Sequence, residues 1–189
     1  APALASLSST SPSASLSSAS PSASPPPLAL DNLILAPAPG YSLSVDPQGR
    51  ALEGQTTLDL CQVKFGSEAM RVARLAVSYT DTNGSGTSLE VVRYGPGGAA
   101  LAYTELLNAA HHCPPTYPAG SATVTQTVVE PPDLSLLPKQ LAVVQAAVRN
   151  GVTVWGSEVV QFDGSYVAVA YSNPFTTEQG ALATAIDLA

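Results

Sequence analysis

The side chains able to do chemistry in this sequence are few and fall in pairs. The cysteines are Cys61 and Cys113, and the histidines are His111 and His112. His111-His112-Cys113 has the composition of a metal cluster. If helical, however, neighbouring residues point about 100° apart and do not converge on one ion. The better chemistry for an even pair of cysteines, in a chain sparse in charge, is one disulfide joining Cys61 to Cys113. No metal or other cofactor is expected.

Other motifs are weaker. Asp81-Thr82-Asn83-Gly84-Ser85-Gly86 matches the first half of a calcium loop, but the twelfth position, which should be a bidentate Glu, is Val92. A hairpin turn is the expected reading. Gly95-Pro96-Gly97-Gly98-Ala99-Ala100 fits a dinucleotide fingerprint only locally, because no parallel return strand or later acidic residue supports it. No G-x-S-x-G is present. The carboxylates Glu90, Glu105, Glu158 and Asp163 are scattered and could meet only through folding. No catalytic residue is therefore assigned. Among the aromatics, Tyr94, Tyr103, Trp155 and Tyr166 are the candidates for the wall of a ligand groove on a sheet.

The elements that must position these residues are readable from spacing. Leu75, Val77 and Tyr79 alternate with Arg74, Ala76 and Ser78, and Leu89, Val91 and Arg93 with Glu90, Val92 and Tyr94. That predicts an antiparallel hairpin about the Asp81–Gly86 turn. Ala99, Tyr103, Leu106, Ala110 and Cys113 recur at three and four, predicting an amphipathic helix stopped by Pro114-Pro115. A β-branched run over 121–130 predicts a strand. Asn150-Gly151 and Asp163-Gly164 separate three β-rich runs, predicting a meander that ends at Asn173-Pro174. Thr176 or Thr177 is placed to cap a final helix. Residues 28–43 should hold a short strand or helical turn and then an extended crossing, with a surface turn at Asp46-Pro47-Gln48-Gly49. The fold class is α+β: an antiparallel β-sheet with helices packed against it.

Composition bounds the rest. In residues 1–27, 23 are Ser, Pro or Ala and none is charged. Such a tract buries too little to offset its ordering entropy and is expected to be a disordered, low-complexity linker. Residues 28–189 are expected to form a single α+β sensor-like domain. The whole chain has 189 residues, 11% charged, with a net charge of -7. That balance excludes a nucleic-acid binder, which needs a basic stripe. No run approaches the ~18 apolar residues that span a bilayer. The chain opens on Ala1-Pro2-Ala3 without a signal peptide, as a trimmed chain would. A neutral Ser/Ala/Pro tract suits a spacer behind an anchor, which predicts a lipidated cysteine upstream of Ala1 as the sole tie to the membrane.

With this order assembled, the region from about 55 to 189 resembles the extracytoplasmic sensor-type domain of actinobacterial cell-envelope proteins. That family includes the external domain of a mycobacterial receptor Ser/Thr kinase and many secreted lipoproteins. The resemblance rests on Cys61 before the first hairpin, RVARLAVSY to LEVVRYG, and the helix AALAYTELLNAAHHC ending in a cysteine. The meander VTVWGSEVVQFDGSYVAVAYS completes it. It implies a groove-bearing α+β domain in a sensing or interaction role outside the cytoplasm, with no catalytic residues to carry over. The expected function is a non-enzymatic ligand-binding or sensor domain. Its partner would be a small molecule, lipid, glycan or envelope protein. A small secreted hydrolase with convergent carboxylates, or a structural envelope protein, are the alternatives.

Overall fold

The computed structural model describes residues 29–84, 86–129, 139–175, 177 and 179–180. Eight strands, β1 (Tyr41–Val45), β2 (Arg71–Asp81), β3 (Gly86–Tyr94), β4 (Thr116–Ala119), β5 (Ala122–Val129), β6 (Gln140–Arg149), β7 (Val152–Asp163) and β8 (Tyr166–Phe175), form one sheet. Its order is β1-β2-β3-β8-β7-β6-β5-β4, antiparallel throughout. One α-helix, α1 (Gly98–His112), and two 3-10 turns, Leu30–Leu33 and Gly66–Met70, complete the described elements. The expected antiparallel α+β architecture is what the chain adopts. The predicted final helix lies almost wholly outside the described residues, although the Thr177 hydroxyl accepts a bond from Gly180 N–H at 3.1 Å, as a cap would.

The hairpins follow turn chemistry. Asn150 and Gly151 both take positive φ (52° and 75°), as a type I′ turn requires. At the next turn the sequence expectation needs a correction. Asp163 pairs with Tyr166, so the loop is Gly164-Ser165, and only Gly164 has positive φ (57°). A single positive φ at the first loop position is the type II′ pattern, which needs Gly there and nothing special after it. A second correction concerns β8, which continues through Asn173-Pro174 to Phe175. Between Ser157↔Ser172 and Trp155↔Phe175, β7 advances two residues and β8 three. That bulge accommodates a proline, which has no ladder donor to give.

Alternation sorts the side chains onto two faces. On the first, α1 and the loop before β2 cover Val92, Tyr94, Leu141, Val143, Val160, Phe162, Val167 and Val169. Ala99, Ala102, Leu106 and Ala109 are the positions α1 buries there. The three alanines among them let the helix lie close to the sheet. On the second face Leu75, Val77 and Val91 pack under the N-terminal segment through Leu30, Leu33 and Ile34.

The disulfide forms as the residue pattern predicted. Cys61 and Cys113 are bonded, with Cα atoms 6.0 Å apart, and tie the end of α1 to the loop before β2. Gln126 on β5 donates to Cys61 Sγ at 2.7 Å, joining the bridge to the sheet.

Candidate functional site

The helix-covered face carries a buried polar cluster built on β2, β3, β7, β8 and the loop before β2. Glu90 and Arg74 form an ion pair of 2.6 Å with both side chains almost fully buried. The second Glu90 oxygen accepts from the Thr57 hydroxyl, and Arg74 also donates to Gln48 O at 2.9 Å. Arg74 Nε finds no partner among the described residues, whereas the Arg71 guanidinium donates to Glu68 O, Thr57 Oγ1, Leu52 O and Gln55 O at 2.6–3.0 Å. Glu68 in turn accepts from the Thr57 and Leu58 N–H groups. These bonds replace the water lost on burial and hold a loop without regular structure in one shape.

Glu158 differs. It is buried on the same face, opposite Tyr171 of β8. Burial, with the charges of Asp59 and Glu90 adding, pushes its carboxyl up to about 8. The group is therefore mostly neutral at pH 7. Tyr171 donates its hydroxyl to Thr57 O at 3.0 Å, and burial and the nearby Glu158 charge hold it well above its usual range.

The four carboxylates named in the sequence do not form one acid–base site. Glu90 is committed to Arg74 and Thr57. Glu105, on α1, accepts from the Gly66 and Ser67 N–H groups at 2.9 and 3.0 Å. Burial raises the Glu105 carboxyl, but hydrogen bonding to Ser67 and Gly66 outweighs it and leaves the group below its ordinary range. Asp163 lies at the opposite face. Among the described residues no group of three His, Cys, Asp or Glu could hold a metal ion. His111 and His112 are exposed at the end of α1, and the His112 ring bonds Asn108 O at 2.8 Å. Asp81 Oδ1 accepts from Asn83 N–H at 2.7 Å, the local bond of a turn.

The four aromatics are divided between the faces. Tyr94 is 2% exposed beneath the start of α1, and its hydroxyl finds no partner among the described residues. Burial foremost, with the Glu68 charge next, holds that phenol well above its usual range. Tyr103 on α1 meets Phe162 edge-on, with ring centroids 5.1 Å apart. Trp155 and Tyr166 share the second face, but Trp155 pairs with Phe175 and Tyr166 with Asp163. Those positions are about 27 Å apart along the strands. These four residues line no common groove.

One of them does line a groove. Tyr166 and Ala168 of β8, Leu89 and Val91 of β3, and Leu33 and Leu35 of the N-terminal segment enclose about 420 Å³, with Gln161 and Asp163 of β7 completing the wall. The volume is of the size that takes a small organic ligand. Its apolar walls come from two sources. The strands present alternate residues outward, and the Leu30–Leu35 segment lies across them, held by buried Leu30 and by the Tyr79 hydroxyl donating to Leu35 O at 3.0 Å. The polar side is β7, with the exposed Asp163 and with the half-buried Gln161, whose Oε1 is shielded and without a partner among the described residues. Sequence reasoning missed Leu33, Leu35, Leu89 and Val91 as wall residues. The alternation of Tyr166 and Ala168 against Val167 and Val169 was the available signal.

The chain is similar in structure to the extracellular domain of PknH from Mycobacterium tuberculosis, with a TM-score of 0.43 and 13% sequence identity, over 77% of this chain and 75% of that one. No protein-family profile matches the sequence, and no curated protein does. Among the described residues no helix is long and apolar enough to cross a membrane.

Proposed function

We propose that this chain is a non-enzymatic, extracytoplasmic ligand-binding domain of sensor or interaction type, carried on a Ser/Pro/Ala tether. The observation that carries the reading is the groove at Tyr166. It is apolar on its β3, β8 and N-terminal sides and polar along its β7 side, so it suits a ligand with an aliphatic body and a cationic or hydrogen-bond-donating head. The body would lie against Leu89, Val91 and Ala168, and the head beside Asp163. The disulfide supports an oxidising compartment. A lipidated cysteine before Ala1 would place the domain on the outer face of a membrane. Mass spectrometry of the native protein tests that part, and an unmodified N-terminus with no upstream cysteine in the gene contradicts it.

One wall of the groove is the segment that immediately follows residues 1–28. A ligand seated against Leu33 and Leu35 would therefore stabilise the strap where the tether enters, which gives occupancy a route to the rest of the protein. The test is isothermal titration with decylamine below its micelle-forming concentration. One-to-one saturable binding is expected, weaker for Asp163→Asn and lost in Ala168→Trp, whose indole fills the space. Saturable binding that ignores Ala168→Trp, or no binding at all, overturns the reading.

A further inference from the structure

The two edges of the sheet are treated differently, and the difference points to a partner. An edge strand offers unpaired backbone groups to any other strand, so soluble proteins blunt such edges with proline, charge or a covering segment. The β4 edge is blunted: the strand has four residues, one of them Pro118, and the Gln62 side chain donates to Pro118 O at 2.8 Å. Among the described residues the β1 edge has none of these devices. Its sequence, Tyr41-Ser42-Leu43-Ser44-Val45, contains no charge and no proline, and all five residues are exposed.

The backbone phase at β1 is set by its neighbour. Ser42 and Ser44 pair with Thr80 and Ser78, and the next inward-turned residue, Asp46, donates its N–H to Ala76 O at 3.1 Å. Ser42 and Ser44 therefore turn their backbone groups toward β2, and Leu43 and Val45 turn theirs outward. The exposed apolar side chains sit beside that edge: Tyr41 is 44% exposed, Leu43 39%, Val45 51% and Leu35 75%. Leu35, Leu43 and Val45 border one shallow trough of about 280 Å³ over Leu75 and Val77.

We propose that the β1 edge is a homodimer interface, in which β1 pairs antiparallel with β1 of a second copy about a two-fold axis at Leu43. The strand is complementary to itself in this register. Leu43 faces Leu43 of the second copy, Ser42 faces Ser44, and Tyr41 faces Val45, so apolar meets apolar and hydroxyl meets hydroxyl. Asp46 falls opposite Gly40, so no like charges oppose across the strand pair. The outward N–H and C=O of Leu43 pair with their symmetry mates, and the two sheets join into one. A two-fold contact of this kind is closed, so assembly stops at two. The interface is small, and a Kd on the order of 100 µM is expected for the free chain.

The experiment is sedimentation equilibrium on the full chain from about 10 µM to about 1 mM, spanning that dissociation constant. Wild type is expected to pass from monomer to dimer. Leu43→Lys and Leu43→Glu each place like charges at the two-fold axis, and each is expected to remain monomeric with an unchanged melting temperature. An equimolar mixture of the two should recover the dimer, which also shows that both variants fold. Val148→Lys, a change of an exposed apolar residue on β6 of the other half-sheet, should dimerise as wild type does. A monomeric wild type, a dimer indifferent to Leu43→Lys, or a mixture that stays monomeric overturns the proposal. The first result would leave the edge to an extended segment of another protein.

Discussion

Replacing Glu158 by Gln should change how stability depends on pH, and the size of the change follows from where the carboxyl sits. In the folded chain its pKa is raised to about 8 by burial and by the Asp59 and Glu90 charges. In the unfolded chain it titrates near the ordinary glutamate value of ~4.3. Between these values the folded state holds a proton that the unfolded state has released. Stability is therefore fully present below about pH 4 and is lost as pH rises, by about 1.4 kcal/mol per pH unit. Across the whole interval the loss is on the order of 5 kcal/mol, a large part of a typical domain's stability. Gln keeps the shape and cannot ionise. The assay is urea unfolding of both proteins at half-unit steps from pH 4 to 9, taking the difference between the two curves so that other groups cancel. Near pH 4 the difference should be small. It should grow in favour of Glu158→Gln up to about pH 8 and then level. At pH 8 the variant should melt about 10–20 °C higher, at about 2–4 °C per kcal/mol for a domain of this size. A flat difference curve, or one that favours wild type as pH rises, would refute the placement of this carboxyl in a dry interior.

Two further changes test the same interior. Arg74→Met should cost about 3–5 kcal/mol by leaving Glu90 buried without its partner, and the double variant Arg74→Met/Glu90→Leu should regain much of that loss; equal stabilities of the single and double variants would show that the pair is not desolvated. Thiol titration of the denatured, unreduced protein should find no free cysteine, and Cys61→Ser/Cys113→Ser should lower stability by up to ~4 kcal/mol for a bridge spanning 52 residues. Two titratable thiols would contradict the bridge.

Much of the fold was legible because it is local. The turn at Asn150-Gly151, the alternation in β2 and β3 and the three-and-four spacing of α1 each depend on neighbours along the chain. The bridge was legible from residue type and number. The pairing of β3 with β8, which joins hairpin to meander, is set by matched apolar faces more than seventy residues apart. No local signal encodes that match. β4 was missed because Thr116–Ala119 is short and contains Pro118, and only its pairing with β5 makes it a strand. The Arg74–Glu90 pair could have been found. The turn at Asp81–Gly86 sets the hairpin register and puts both residues on one face, one step apart diagonally. The groove was harder. Periodicity shows that Tyr166 and Tyr94 each have a preferred face, but not which face the helix will cover. That choice belongs to the connection from β3 into α1 and to the bridge at Cys113. The N-terminal wall residues Leu33 and Leu35 carry no periodic signal at all.

We propose that the second face of the sheet binds a ligand under the N-terminal segment. Methyl-resolved NMR during titration with decylamine tests it directly. Saturable shifts are predicted for the methyl groups of Leu33, Leu35, Leu89, Val91 and Ala168, with Val160 and Val169 beneath α1 unmoved. Shifts spread evenly over both faces, or absent from those five residues, would show that the groove does not bind.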